Sequence, residues 1–486
     1  MRLRFTAEMI DDNGERVSMP VEIETAVPNP EEFGDKSRFY EIFDRYERAA
    51  LEARNQAAEE ITESYLNAAT AQKKGAEEGK RREIEAEIGR ICVENASSIA
   101  PDGQPKERIY SLCHMELELL TGASLSYRKG LELLNRLLRR KPESEVKFRT
   151  YLDFCQKVGK KAEESAARET ESRLRRHGFD PESGKPRSEE ELPPELRREA
   201  KRENSPETIA RAVEKINAGR QAEEERVKAS QTETEDAENT VYISADDVGV
   251  RHQKEHRRAE NQKNGAFVWS TNALVQSREG ERIFTCVGMK KAFLFVLSYL
   301  LDKGMLKNRS LVFFIDGASN LLSNIAEMFA FHPYRVILDW YHLKKRCQEY
   351  LSMSFKSKEE KKRTLQKLLR ILWAGNVTEA VLYLRNLNPS FLRASHRVTD
   401  LTGYLEKHRE HIPCYALRAE LGLRNSSNRV EKENDLVVAQ RQKHHGMSWS
   451  TTGSGSLAQI TALSINGELG DWLRENYLPT ISTRSA

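Results

Sequence analysis

The chain has little of what marks a secreted, membrane-spanning or zinc-stapled protein. Its 486 residues include six cysteines, Cys92, Cys113, Cys155, Cys286, Cys347 and Cys414, with no C-x-x-C pair among them. That spacing excludes a zinc ribbon and a disulfide framework, and leaves reduced thiols of a cytosolic protein as the expectation. Met1 to Pro30 lacks the apolar core of a signal peptide. The longest apolar run, Ala292 to Leu301, is about half the ~20 residues that a membrane helix needs. A soluble protein that stays where it is made, with no membrane partner, is therefore expected. An excess of charge of one sign is also missing. The net charge is +3, so any nucleic-acid surface must be a local basic patch.

What the chain has in quantity is charge of both signs. Charged residues make up 31% of it, too many for one compact core throughout, so some of the chain is expected as extended or solvated helix. The length allows two or three domains of ~100–200 residues.

Residues 1–34 read as a β-hairpin around the turn Asp11-Asp12-Asn13-Gly14-Glu15, because Asn-Gly favours a tight hairpin turn. Residues 35–108 read as a long helical arm. Phe39, Ile42, Phe43, Tyr46, Ala50 and Leu51 fall at helical spacing, and an Ala/Glu/Lys-rich stretch follows. Residues 109–160 hold helix, short break, helix, with Ser144 as a cap before Val146. With Arg128, Lys129, Arg136, Arg139, Arg140, Lys141 and Lys147 this suits a helix-turn-helix-like DNA-binding unit, and equally an ordinary helical hairpin with solvated basic faces. Residues 161–239 are nearly all Glu, Lys, Arg, Ala and Ser and read as a charged linker.

From Thr240 the composition changes. Val241 to Ala245 reads as a strand ending at Asp246-Asp247. Two more strands follow at Gly265–Gln276 and Arg282–Gly288, then a helix at Ala292–Leu306. Leu311 to Ile315 is a buried strand stopping at Asp316, Asn320 to Phe331 a helix, and Arg335 to Leu338 a strand stopping at Asp339. The order β-β-β-α-β-α-β has a natural arrangement in which three antiparallel strands receive later parallel strands beside the first. That arrangement sets Asp246 next to Asp316. Carboxylates at strand ends are where α/β folds place their chemistry, and two neighbouring ones hold hard divalent cations such as Mg²⁺. Residues 344–425 read as an all-helical, basic insertion that includes Lys344 and Lys345. A final helix is expected from Val430 to Lys443. It starts with Glu431 and Glu433, which lie about 200° apart around a helix, so only one of them can face a metal.

These features in this order resemble the RNase H-like catalytic domain of DDE transposases, and several local motifs look like the ISLre type of bacterial insertion-sequence transposase. The likeness is carried by Tyr242-Ile243-Ser244-Ala245-Asp246, by Asp316-Gly317-Ala318, and by Leu338-Asp339-Trp340-Tyr341-His342-Leu343. It continues at Asn428, Glu431, Arg441, Lys443, Gly446, Trp449, Ser450 and Gly453. It covers about Val241 to Leu463, and more loosely Ser126-Tyr127-Arg128.

The fold so implied is an α/β RNase H-like catalytic domain (240–343 and 426–486) with an all-helical insertion, preceded by a mainly α-helical N-terminal DNA-binding region. The implied catalytic and metal-holding triad is Asp246, Asp316 and Glu431, with two Mg²⁺ per active site and Mn²⁺ able to substitute. Asp247 is a rival for the first place and Glu433 for the third. Asp339 and His342 match the family's Asp-x-x-His motif and take a supporting role. Arg441, Lys443 and Trp449 join the basic residues above as DNA contacts, although Trp449 suits packing better than base stacking. Ser448, Ser450, Thr451, His444 and His445 suit phosphate contacts.

The activity implied is binding of terminal inverted repeats, cleavage of phosphodiester bonds and joining of 3′-ends to target DNA. At least two protomers would assemble on double-stranded DNA in a bacterial, nucleoid-associated setting. An RNase H-like nuclease without strand transfer, and a domesticated inactive DNA-binding regulator, are the competing functions.

Overall fold

A computed structural model describes residues 1–34, 36–71, 82–93, 108–138, 145–188, 190, 192–198, 204–217, 232–236, 238–253, 267–427, 435–443 and 447–477. The chain divides into two compact units, Met1–Val158 with Leu463–Ala486, and Gly159–Ala462.

The first unit opens with the expected hairpin, β1 (Arg2–Ala7) against β2 (Val21–Ala26). Gly14 closes its turn at φ 85°, a conformation that favours glycine. The amphipathic helix α1 follows (Phe39–Ala71), with Ile42, Ala53, Ala57 and Ile61 buried along one side.

The helical arm expected to reach residue 108 does not. Three strands, β3 (Arg82–Ala86), β4 (Gly89–Val93) and β5 (Arg108–Tyr110), form a small sheet. Ile84, Ile91, Val93 and Ile109 make its apolar face together with Leu66 of α1. Apolar and charged residues alternate in this stretch, which is the pattern of a half-buried strand.

Ser111 caps α2 (Leu112–Ser124), accepting from the His114 N–H. A short turn leads to α3 (Tyr127–Leu138). Asn135 then ties α3 to Val146 by two hydrogen bonds, just ahead of α4 (Phe148–Arg176). The expected cap Ser144 lies outside the described residues.

The second unit contains most of what was expected as a charged linker, and that expectation is corrected. Helix α4 extends to Arg176, and Leu174, Phe179, Leu192 and Leu196 are buried in the main core. Single apolar residues, one per turn or two, bury one edge while the charges stay in water. Two short helices follow, α5 (Pro194–Arg197) and α6 (Pro206–Asn217).

The mixed sheet has the expected element order. It comprises β6 (Thr240–Arg251), β7 (Phe267–Ser277), β8 (Gly280–Val287), helix α7 (Met289–Asp302), β9 (Ser310–Ile315), helix α8 (Ser319–Met328) and β10 (Arg335–Leu338). The strands lie in the order β10-β9-β6-β7-β8. β6 is antiparallel to β7 and parallel to β9, and β10 is parallel to β9. One face packs on helices through Phe313, whose ring meets Phe293 and Phe329 edge-on. On the other face Phe314 stacks on Tyr242, with centroids 5.7 Å apart.

The helical region that follows is not a separate body. Helices α9 (Trp340–Ser354), α10 (Lys358–Trp373), α11 (Val377–Arg385), α12 (Ser395–Lys407) and α13 (Tyr415–Glu420) share one continuous apolar core with the sheet. The described part of the expected last helix, Asp435–Lys443, is a π-helix and packs along β6. Helices α14 (Thr451–Ile465) and α15 (Leu469–Tyr477) end the described chain. None of the helices among the described residues is long and apolar enough to cross a membrane.

Candidate active site

The parallel register of β6 and β9 brings two acids together. Its last pair is Ser244 with Phe314, and two residues further along each chain stand Asp246 and Asp316. Level residues on parallel strands point to the same face. Asp246 is half-buried, and burial raises its carboxyl above the usual range. The neighbouring Asp316 charge raises it further, while the Asp247 N–H, donating to its Oδ1 at 2.8 Å, and nearby His342 pull it down. Two like charges sharing one partly desolvated place repel each other, and a divalent cation would relieve both the repulsion and the cost of burial.

Asp316 opens a tight turn in which its Oδ1 accepts from the Ala318 N–H at 2.8 Å. Gly317 follows at φ 94°, and a Cβ there would lie 2.7 Å from the Tyr404 hydroxyl oxygen and 3.3 Å from His408 Nε2. Tyr404 donates to the Asp316 backbone carbonyl at 3.3 Å. The helical region thus packs directly against the second acid. Neither Tyr404 nor His408 was legible in the sequence, because only tertiary folding brings α12 to the end of β9.

The first strand does not end at Asp246-Asp247 as expected. β6 runs on to Arg251, because β7 pairs with it along that whole stretch. Successive side chains of a strand alternate, so Asp247 points away from the Asp246 face. It accepts from the Thr271 hydroxyl of β7 at 2.5 Å.

Asp339 is 1% exposed and caps α9. Its Oδ1 takes the Tyr341 N–H (2.7 Å), the His342 N–H (3.4 Å) and the Ser426 hydroxyl (2.7 Å). Its Oδ2 takes the N–H and the hydroxyl of Ser427, at 2.5 and 2.6 Å. The Trp340 N–H adds a bond to the Asn425 carbonyl at 3.0 Å.

Further upstream, buried Arg418 holds the Arg424 carbonyl and an ion pair to Glu235 at 2.6 Å. Residues 424–427 are therefore fixed beside the end of β10, with Arg424 against Tyr242 near the start of β6. Ser426 and Ser427 donate to the Asp339 carboxylate, a role that sequence reasoning misses, although their position just before Asn428 is a signal. Glu431, Glu433 and Asn428 lie outside the described residues.

The remaining candidates separate by exposure. Arg128, Lys129 and Arg136 on α3, Lys344 and Lys345 on α9, and Lys443 are exposed. Arg139, Arg140, His444 and His445 lie outside the described residues.

Arg441 and Trp449 are corrected as DNA contacts. Both are buried, and the Arg441 guanidinium stacks on the Trp449 ring at 5.2 Å. The indole N–H donates to the Gln442 carbonyl at 3.1 Å. The Trp449 backbone bonds Arg251 and Gln253 at the end of β6. These residues hold the π-helix to the sheet.

No group of three His, Cys, Asp or Glu side chains placed to hold a metal occurs among the described residues. The described part of the expected triad is a pair of oxygen donors, and that donor chemistry suits a hard cation such as Mg²⁺.

No family model and no curated protein matches the chain. Among solved structures it is weakly similar to a chain of the Drosophila P element transposase strand transfer complex, at 11% identity and a TM-score of 0.19. The match covers 56% of this chain and 74% of that one. A likeness this slight does not establish a shared fold.

Proposed function

We propose that this protein is a DNA transposase with an RNase H-like catalytic region, cutting phosphodiester bonds at element ends and joining the freed 3′-ends to target DNA. The observation that supports it best is the placement of Asp246 on β6 and Asp316 just past the end of the adjacent parallel β9, each two residues beyond the last paired residues, in a mixed sheet ordered β10-β9-β6-β7-β8.

Asp246, Asp316 and Glu431 would hold Mg²⁺, with Mn²⁺ as a substitute. When bound, two such ions supply charge stabilisation at the attacking and leaving oxygens of an in-line displacement. The chain's own residues position the site. Gly317 permits the close approach of Tyr404, which fixes the Asp316 turn. Asp339 fixes Ser426 and Ser427, and so the start of the segment that carries Glu431. His342 lies near enough to Asp246 to favour its charged form. Lys344 and Lys345, exposed on the first turns of α9, suit backbone phosphates of DNA at the acids, and α3 with Arg128, Lys129 and Arg136 suits end recognition. Recombining two ends requires at least two protomers on the DNA.

The test is incubation of the protein with DNA carrying the element ends, a target plasmid and Mg²⁺. Joined end–target products are expected. Cleaved ends that never join would make it a nuclease without strand transfer, and no cleavage with intact DNA binding would make it a regulator.

A further inference from the structure

β7 carries a residue that its position does not favour. Asn272 is 1% exposed on an inner strand, with β6 on one side and β8 on the other. Asparagine is depleted in strands, and a buried amide is costly unless its oxygen and its N–H groups are used.

The register says what surrounds it. Asp246 stands directly opposite on β6, and Thr285 directly opposite on β8. Opposite residues share a face, with Cβ atoms ~4.5–5.5 Å apart. With Asp316 just past the end of β9, one polar row crosses the sheet in the order Asp316, Asp246, Asn272, Thr285. The row before it on the same face is Phe314, Ser244, Leu274 and Ile283, in which Ser244 alone is polar. The polar groups are thus concentrated level with the two acids.

Thr285 is the informative member. It is 2% exposed, and its hydroxyl oxygen is buried with no hydrogen-bond partner among the described residues. An unmet buried hydroxyl costs ~1–3 kcal/mol. The Asn272 amide beside it has an oxygen on one side and an NH₂ on the other, and its neighbours decide which way it turns. A bare Asp246 carboxylate and the Thr285 hydroxyl can both accept from the NH₂. A hard cation on Asp246 takes oxygen instead. The amide oxygen then faces β6, and the NH₂ faces the Thr285 hydroxyl that lacks a partner. An aspartate in place of Asn272 would add a third negative charge beside two that already repel each other, whereas the amide adds an oxygen donor and no charge.

We infer that Asn272 is an uncharged oxygen donor to the cation at Asp246, and that Thr285 is the positioning residue that turns its amide oxygen towards the metal. The inference rests on the reading in which Asp246 and Asp316 hold a divalent cation, and adds a ligand beyond the three acids.

The test is binding of Mn²⁺ alone to the full chain, without DNA, by titration calorimetry and electron paramagnetic resonance, with a melting temperature for each variant. Loss of a group that orients a metal ligand typically costs about 10–100-fold in affinity. Thr285→Val, nearly the same shape, should therefore weaken Mn²⁺ binding about tenfold, and Asn272→Ala by at least as much. Thr285→Val should melt no lower than the wild type, because it removes a buried hydroxyl that has no partner, and this separates orientation of the amide from folding. Asn272→Asp, which keeps an oxygen at the same place, should bind Mn²⁺ at least as tightly as the wild type.

Wild-type affinity in folded Asn272→Ala and Thr285→Val, with binding lost in Asp246→Asn, overturns the inference and leaves the acid pair standing. Tighter binding in Asn272→Ala also overturns it, since the amide would then donate to Asp246 in competition with the cation. If Asn272→Ala does not fold, Thr285→Val decides alone. A wild type that binds Mn²⁺ no better than Asp246→Asn overturns the cation reading and the inference together.

Discussion

The ends of β9 and β10 are nearly the same in sequence, four or five apolar residues, an aspartate, then a helix, yet the fold treats their acids differently. Asp316 is half-buried, and its carboxylate takes one backbone donor in its own turn. Asp339 is buried, and its carboxylate takes five donors, three of them from Ser426 and Ser427. A carboxylate with most of its lone pairs free beside a second carboxylate is suited to a cation, whereas one saturated by N–H and O–H donors is suited to holding chain segments together. What separates the two is the arrival of distant segments that could not be read from either strand.

The comparison breaks most readily at Asp339. Asp339→Ala leaves several buried donors without an acceptor, and hydrogen bonds to a charged group are worth ~1.5–3 kcal/mol each, though not additively. A loss of about 3 kcal/mol or more in chemical denaturation is expected, against less than about 1 kcal/mol for Asp316→Ala. Equal losses would remove the distinction.

A smaller effect is expected at Gly317→Ala. The new Cβ would stand at φ 94° and 2.7 Å from the Tyr404 hydroxyl oxygen, and strain of this kind amounts to ~1–3 kcal/mol. End cleavage should fall with stability, because the turn that carries Asp316 must shift.

The smallest effect is a pH slope from His408. Burial first, then the Lys407 and His411 charges, lower its imidazole to about 4. Unfolded histidine titrates near ~6.5. As pH falls from there, the unfolded chain takes up a proton that the folded chain refuses, so stability declines towards the folded value. Melting temperatures between pH 7.5 and 5 should fall less steeply in His408→Gln than in the wild type.

Much of this was legible because the sheet strands are short apolar runs ended by acids, a pattern that fixes both their existence and their order. Three things were hidden. β6 continues past Asp246-Asp247 because β7 supplies partners, and an acid pair in a local reading looks like an end. The alternation in Arg82–Ala86 and Gly89–Val93 is obscured by its charge, so a local reading gives helix where a small sheet forms. Helix α4 and the stretch after it bury only scattered residues such as Leu174 and Phe179, and composition alone presents that as a solvated linker. At the site, Asp246 and Asp316 followed from topology, but Tyr404, His408 and the serines on Asp339 depend on packing across more than 80 residues of chain.

The most direct measurement is single-turnover cleavage of DNA carrying the element ends, in Mg²⁺, by wild type, Asp316→Ala and Asp339→Asn, each checked for folding. If the Asp246–Asp316 pair holds the cation, Asp316→Ala should lose at least ~10³-fold in rate, the equivalent of several kcal/mol of charge stabilisation. Its melting temperature should stay near that of the wild type, and Asp339→Asn should lose stability more than rate. Full cleavage by a folded Asp316→Ala protein would contradict the account.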